Sequence, residues 1–262
     1  MKNFPRRTSE RIGAELFFRA VLPTLETWAR FDPRAPSLLP RSPLRATFAT
    51  SGRGPSADLV ADREGIRVEA AGDIPGQLRI DLGPESAVAA MVGGRRPTAR
   101  LRGGLRHPLR LLRLARIFRR FQQLLEPPAR LREDPQTRLL HVRLALQVAL
   151  SGLVVLSREE PSLQPVLGAV KDGVVFFATA DGPLRAALRK EGTRLERVEG
   201  EDAPTTTVRF ASTRAAMRIL TQRFDPTVAL AQGEVEVCGY VPLADAVGHV
   251  LDRVADYLPP PR

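Results

Sequence analysis

The chain is poor in the residues that catalysis and cross-linking most often use. Among 262 residues there is one cysteine, Cys238, which excludes an intramolecular disulfide framework and a cysteine-based metal cluster. Its place in an alternating apolar stretch reads as a small buried strand residue, with a reactive thiol as the alternative. The three histidines, His107, His141 and His249, stand at no spacing that metal ligands use. There is no G-x-S-x-G elbow, no phosphate-binding loop and no paired-glycine dinucleotide fingerprint; Gly52 to Gly54 and Gly103-Gly104 read as turns. The expectation is a protein that is not an enzyme and that uses no cofactor and no metal.

Long hydrophobic runs are missing too. The most apolar segment, Leu139 to Leu156, carries His141, Arg143 and Gln147, and its uninterrupted part is too short to span a bilayer. Met1 to Arg11 is basic, but Glu15 and Arg19 interrupt the apolar run that follows, so no secretory signal is expected. The expected location is cytoplasmic, with peripheral contact at the inner membrane face left open. With 43% hydrophobic and 26% charged residues, the composition is that of a folded globular chain.

What is present in excess is arginine, in one place. The formal net charge is +11, and the segment from Arg95 to Arg143 holds 14 arginines and no lysine against Glu126, Glu133 and Asp134. That segment carries the whole surplus.

The chain also repeats itself. ADREGIRVEAAGDIP (Ala61 to Pro75) returns as LRKEGTRLERVEGEDAP (Leu188 to Pro204). Phe48-Ala49-Thr50 matches Phe177-Ala178-Thr179, Pro75 matches Pro204, Pro97-Thr98 matches Pro226-Thr227, Leu101 matches Leu230 and Gly104 matches Gly233, every pair 129 residues apart. Five anchors at one offset indicate a tandem duplication, with copies over 1–128 and 137–262 and a linker over 129–136. Each copy is large enough to bury its own core.

Within the first copy, Thr8-Ser9-Glu10 reads as a helix start with Ser9 as cap. Apolar residues from Ile12 to Trp28 then recur at helical spacing to Phe31, with a kink at Pro23. Arg34 to Pro43 reads as a loop. Strands are expected over 44–50, 59–61, 66–70, 77–82 and 99–105, a short helix over 85–92 ended by Gly93-Gly94, and a helix over 109–125. Leu140, Val142, Leu144, Leu146 and Val148 alternate like a strand, yet the repeat maps them onto the first helix. The helix is preferred, because Glu160-Pro161 ends this stretch as Asp32-Pro33 ends the other.

The second half of the second copy reads TTTVRFASTRAAMRILTQRFDPTVALAQGEVEVCGYVPLADAVGHVLDRVADYL, with Asp225, Pro226, Ala229, Gly233, Val235, Val237 and Gly239 as its framework. This order of strand, short helix, "DP…A…G.v.v.G" and closing amphipathic helix resembles the sterol carrier protein type-2 family of lipid-binding domains. The first copy keeps Pro97, Ala99 and Gly104 but has Arg96 in place of the aspartate. The resemblance implies an α+β fold, a tandem duplication in which each twisted, mainly antiparallel sheet packs against helices around an apolar tunnel. It implies sterol, fatty acyl or isoprenoid ligands and brings no catalytic residue.

Phe17, Phe18, Leu22, Phe48, Phe118, Phe121, Phe176 and Phe177 are the candidates to line such a tunnel, against the plain alternative that they are core. On the basic helix, Leu111, Leu114, Ala115, Phe118, Phe121 and Leu125 share one face, and Arg110, Arg113, Arg116, Arg119 and Arg120 occupy the other, with Leu109, Leu112, Ile117 and Leu124 among them. The matching helix of the second copy, Leu243 to Leu258, carries Asp245, Asp252 and Asp256 with only Arg253. Packing therefore does not require the arginines. Their expected target is an anionic membrane surface or an acidic partner, the acidic second copy included. The expected partner is a lipid or other apolar small molecule. The alternative is a nucleic-acid-binding or scaffold protein using the arginines, disfavoured for nucleic acid by 5% aromatics and the interspersed leucines.

Overall fold

The computed structural model describes residues 6–52, 54–72, 76–94, 100–102, 107–126, 133–182, 184–199, 203–221 and 226–258. It divides into two compact units, residues 1–126 and 127–262. Asp225, Arg96, Pro97, Ala99 and Gly104, part of the repeat's framework, lie outside the described residues.

The first unit begins with α1 (Arg6–Leu16), already helical before Ser9, so Ser9 is inside the helix rather than its cap. Pro23 has no N–H to close an i→i−4 bond, and the helix widens just ahead of it: Phe17–Val21 is a single π-turn, closed by Leu22 N–H to the Phe17 carbonyl at 2.8 Å. The hydroxyl of Thr24 donates to the carbonyl of Ala20, satisfying one group that the break leaves over. Helix α2 (Thr24–Phe31) follows, then α3 (Ala35–Leu38), a short helix where a loop was expected. The strands are β1 (Leu44–Ala49), β2 (Ser56–Ala61), β3 (Ile66–Ala70), β4 (Leu78–Asp81) and β5 (Arg100–Arg102), with α4 (Glu85–Val92) before β5 and α5 (Pro108–Leu125) closing the unit.

These strands form one sheet in the order β3-β2-β1-β4-β5, antiparallel except where β1 lies parallel to β4. Alternation places Leu44, Ala46, Phe48, Leu59, Ala61, Ile66, Leu78 and Ile80 on one face, all buried. Trp28, Leu16, Leu22, Leu25, Ile117 and Leu124 are buried on the helices. Helices α1 and α4 pack so closely that a β-carbon on Gly13 would lie 2.6 Å from that of Ala89.

The second unit opens with α6 (Pro135–Glu159), capped by Asp134, which accepts the N–H of Thr137. The alternating stretch from Leu140 to Val148 lies wholly inside this helix, as the repeat indicated. By length and composition α6 is apolar enough to cross a membrane, yet 61% of its most apolar window is buried within the unit. After a 3-10 turn and α7 (Gln164–Gly168) come β6 (Gly173–Thr179), β7 (Arg185–Glu191), β8 (Arg194–Val198) and β9 (Thr206–Phe210). Helices α8 (Thr213–Leu220) and α9 (Pro226–Ala231), then β10 (Val235–Gly239) and α10 (Val241–Tyr257) complete it.

Its sheet runs β10-β9-β6-β7-β8, again antiparallel except for the central β6–β9 pair. Taken from the other edge, this is the order and pairing sense of the first sheet. The antiparallel registers of β1 with β2 and of β6 with β7 correspond at the 129-residue offset, Phe48 opposite Ala57 and Phe177 opposite Ala186. The parallel pair is shifted by one residue, Phe48 opposite Ile80 and Phe177 opposite Val208. The chain has an α+β fold of two five-stranded sheets, each packed against helices. Cys238 is in a strand as expected but is exposed, a correction that follows from β10 being an edge strand.

Candidate functional site

Helix α5 starts at Pro108, where a missing N–H costs nothing, and runs 18 residues without an acidic side chain. Leu114, Ile117, Phe121 and Leu124 face the unit's interior. The expected apolar face is thus rotated by about a quarter-turn: Ile117 and Leu124, placed among the arginines from the sequence, are fully buried, and Ala115 is exposed. Apolar residues surround this helix, so hydrophobicity alone did not select its orientation. An ion pair does. Arg120 donates from Nε to Asp32 Oδ2 at 2.8 Å and from Nη2 to Oδ1 at 3.3 Å, and its side chain is 13% exposed. Arg120 therefore leaves the set of membrane- or partner-facing residues; its cation is taken up inside the unit.

Asp32, with a fully buried side chain, also accepts from Trp28 Nε1 and from the backbone N–H of Arg34. Burial alone would raise its carboxyl pKa; the bonds from Arg120, Arg34 and Trp28 outweigh that and hold it below the usual carboxylate range.

The outward side of α5 carries Leu109, Leu112, Arg113, Arg116 and Arg119, with Arg110 half-buried at the boundary. Leu109 is 80% exposed and Leu112 48%. Arg110, Arg113, Arg116 and Arg119 form no ion pair with any described residue. The corresponding helix α10 turns Asp245, His249, Asp252 and Asp256 outward and buries Leu243, Ala246, Val247, Val250 and Val254.

The eight apolar candidates divide by face. Phe48 of β1 stacks at a tilt on Phe118 of α5, centroids 5.5 Å apart, with Phe121 buried and Phe118 half-buried. Phe17 and Phe18 meet edge to face at 5.2 Å, and Leu22 is buried. Phe176 and Phe177 are consecutive strand residues and point to opposite faces of their sheet. Only Phe177, the counterpart of Phe48, is buried; Phe176 is half-buried on the other side, so the two cannot line one tunnel.

A cavity of about 250 Å³ lies elsewhere in the first unit, lined by polar and small residues that include Thr47, Ser56, Gly72, Gly76 and Arg79. None of the eight apolar candidates contributes to it. Beside it, Asp58 is fully buried and accepts from Thr47 at 2.6 Å, from Arg45 and from the Gly72 N–H. Burial pushes the Asp58 carboxyl up, but these bonds hold it below its ordinary value. Nothing in the sequence signalled this cleft, because it is assembled from strand and turn residues far apart in the chain.

His141 is buried in α6, whereas His249 is exposed and His107 half-exposed. Among the described residues no group of three or more His, Cys, Asp or Glu is placed to hold a metal ion.

No family model matches the chain, and no curated protein matches it. Solved structures give partial likenesses. A stretch covering 44% of this chain is similar to 92% of the UbiJ-SCP2 ubiquinone synthesis protein, at 16% identity and a TM-score of 0.34. Sterol Carrier Protein 2 Like 2 from Aedes aegypti is covered over 98% of its length by 42% of this chain, at 19% identity and a TM-score of 0.27. For the sec-alkylsulfatase Pisa1 from Pseudomonas sp., the figures are 49% of this chain and 26% of that one, at 13% identity and a TM-score of 0.29. Each likeness spans less than half of this chain.

Proposed function

We propose that the chain is a non-catalytic lipid-binding or lipid-transfer protein, a tandem duplication of sterol-carrier-like units over 1–128 and 137–262, working at an anionic membrane surface. Its ligand is a hydrophobic molecule of the sterol, fatty acyl or isoprenoid class. The observation that carries this reading is the outer face of α5, where exposed leucines stand together with arginines that form no ion pair among the described residues. The closing helix of the other sheet buries its apolar face behind an acidic outer face, so the outward cations Arg113, Arg116 and Arg119 are not required for this packing and are available for an anionic surface.

The ligand's entry in this reading is the seam between β1 and α5. Phe48 on Phe118 closes the seam between β1 and α5, and Phe118 is the half-buried partner. An acyl or isoprenoid chain enters by parting these rings and sliding between sheet and helix. Burying a 16-carbon chain is worth at most about 12 kcal/mol at ~0.8 per CH₂, from which the cost of opening the seam is subtracted. A protein that binds this way needs no catalytic group.

Organic extraction of the purified protein, followed by mass spectrometry, tests the ligand. Co-purifying lipid, or uptake of a fluorescent fatty acyl or sterol probe that Phe118→Ala alters, is the expected result. A protein that carries no lipid, takes up no probe and does not sediment with anionic vesicles at low salt overturns the reading.

A further inference from the structure

We infer that the first turns of α5 form a membrane wedge: Leu109 and Leu112 enter the acyl-chain boundary of an anionic bilayer while Arg113 and Arg116 hold lipid phosphates above them. This rests on the membrane reading proposed above and adds how the contact is made. Leu109, at 80% exposed, is the most exposed large hydrophobic side chain among the described residues, and Leu112 lies one turn along on the same side. Neither contributes to the interior, which Leu114, Ile117, Phe121 and Leu124 already fill from this helix.

Each leucine is followed four residues later by an arginine, Arg113 after Leu109 and Arg116 after Leu112. Residues four apart on a helix are neighbours on one face, so each arginine stands beside the leucine one turn before it. That is the geometry of a snorkelling pair, with an apolar residue below the phosphate plane and a cation at it. With no acid anywhere in α5, nothing on the helix opposes an anionic surface. A nucleic-acid backbone would satisfy the arginines but leave both leucines in water, so the observations favour a bilayer.

The test uses the full chain with phosphatidylcholine vesicles doped with phosphatidylglycerol. A Cys238→Ser, Leu109→Cys protein labelled with an environment-sensitive fluorophore is expected to shift to the blue on binding. Leu109→Ser with Leu112→Ser is expected to weaken binding roughly tenfold or more at fixed salt, from the lost apolar burial, while leaving the salt dependence unchanged. Both leucines point outward, so an unchanged thermal transition checks that this variant is folded. If the protein binds but the double variant binds equally well, or the fluorophore stays water-exposed, the contact is electrostatic alone; the wedge is then wrong and the membrane reading stands. Absence of binding by the unaltered protein at low salt removes both. Retention on duplex DNA at salt concentrations where vesicle binding is lost assigns the arginines to nucleic acid and also overturns the wedge.

Discussion

Arg120 of the helix that closes the first unit reaches 88 residues back to Asp32, the acid that ends the unit's second helix. In the second unit, Arg253 of α10 donates from Nη2 at 2.7 Å and from Nε at 3.1 Å to Glu160, which ends α6. Both acids have fully buried side chains, and both precede a proline, Pro33 and Pro161. One arginine thus clamps the closing helix of each unit onto an earlier helix, α2 in the first unit and α6 in the second. The acid–proline pair visible in the sequence is the anchor of that clamp.

Arg120→Gln should destabilise the first unit by about 3 kcal/mol, because it leaves a buried carboxylate without its cation. Arg119→Gln, on the exposed face, should stay within about 0.5 kcal/mol. Arg253→Gln should cost less than Arg120→Gln, since Arg253 is 31% exposed against 13%. Urea unfolding of the three variants gives the order; equal effects for Arg119 and Arg120 would refute the clamp.

The same pair sets an acid limit. Asp32 has a carboxyl held below its ordinary 3.8 in the folded state, so the folded protein binds its proton less readily than the unfolded chain. The stabilisation is complete above pH about 4 and is lost as pH falls below that, toward the folded value. Asp58 acts in the same direction. Unfolding free energies between pH 7 and 3 should fall steeply at the acid end, and less steeply in Arg120→Gln. An unchanged slope in that variant would place the acid sensitivity elsewhere.

Gly239 ends β10 at φ +93°, and a β-carbon there would lie 2.3 Å from the carbonyl oxygen of Thr205. Gly239→Ala should therefore cost about 2 kcal/mol or more, from left-handed strain and the clash together. Gly94, at φ +87° with open space around it, isolates the strain, and Gly94→Ala should cost about 1 kcal/mol. Thermal unfolding compares them directly.

Cys238 is exposed on an edge strand, so the native protein should react with Ellman's reagent at one thiol per chain without denaturant. Reaction only after unfolding would return Cys238 to the core.

Arg113→Gln, Arg116→Gln and Arg119→Gln combined should lower affinity for anionic vesicles roughly a hundredfold at low salt, at about 1 kcal/mol per cation. The variant should also bind with a shallower salt dependence. Sedimentation across a salt series measures both, and unchanged binding would remove α5 from the contact.

Most strands and helices were legible in the sequence because each records a local period, such as the alternation of β1 or the helical spacing from Ile12 to Trp28. The longest helix, α6, was legible only through the repeat, since Leu140 to Val148 alternates as a strand would. Its wide burial removes the one-sided pattern that marks a surface helix. The candidate site was half legible. Arginine enrichment on α5 stood out, but the face it occupies did not, because Leu109 and Ile117 look alike in sequence while one is exposed and the other buried.

By itself, then, the sequence determined most of the strands and long helices, their order and the 129-residue echo between the two halves, all of which are written in local spacing, but not the short helices α3 and α9. The tertiary structure alone decided the rotation of α5, the withdrawal of Arg120 from the surface and the exposure of Cys238. Each of those depends on a partner distant along the chain, or on whether a strand has a neighbour on its far side, and neither leaves a periodic trace in the residues themselves.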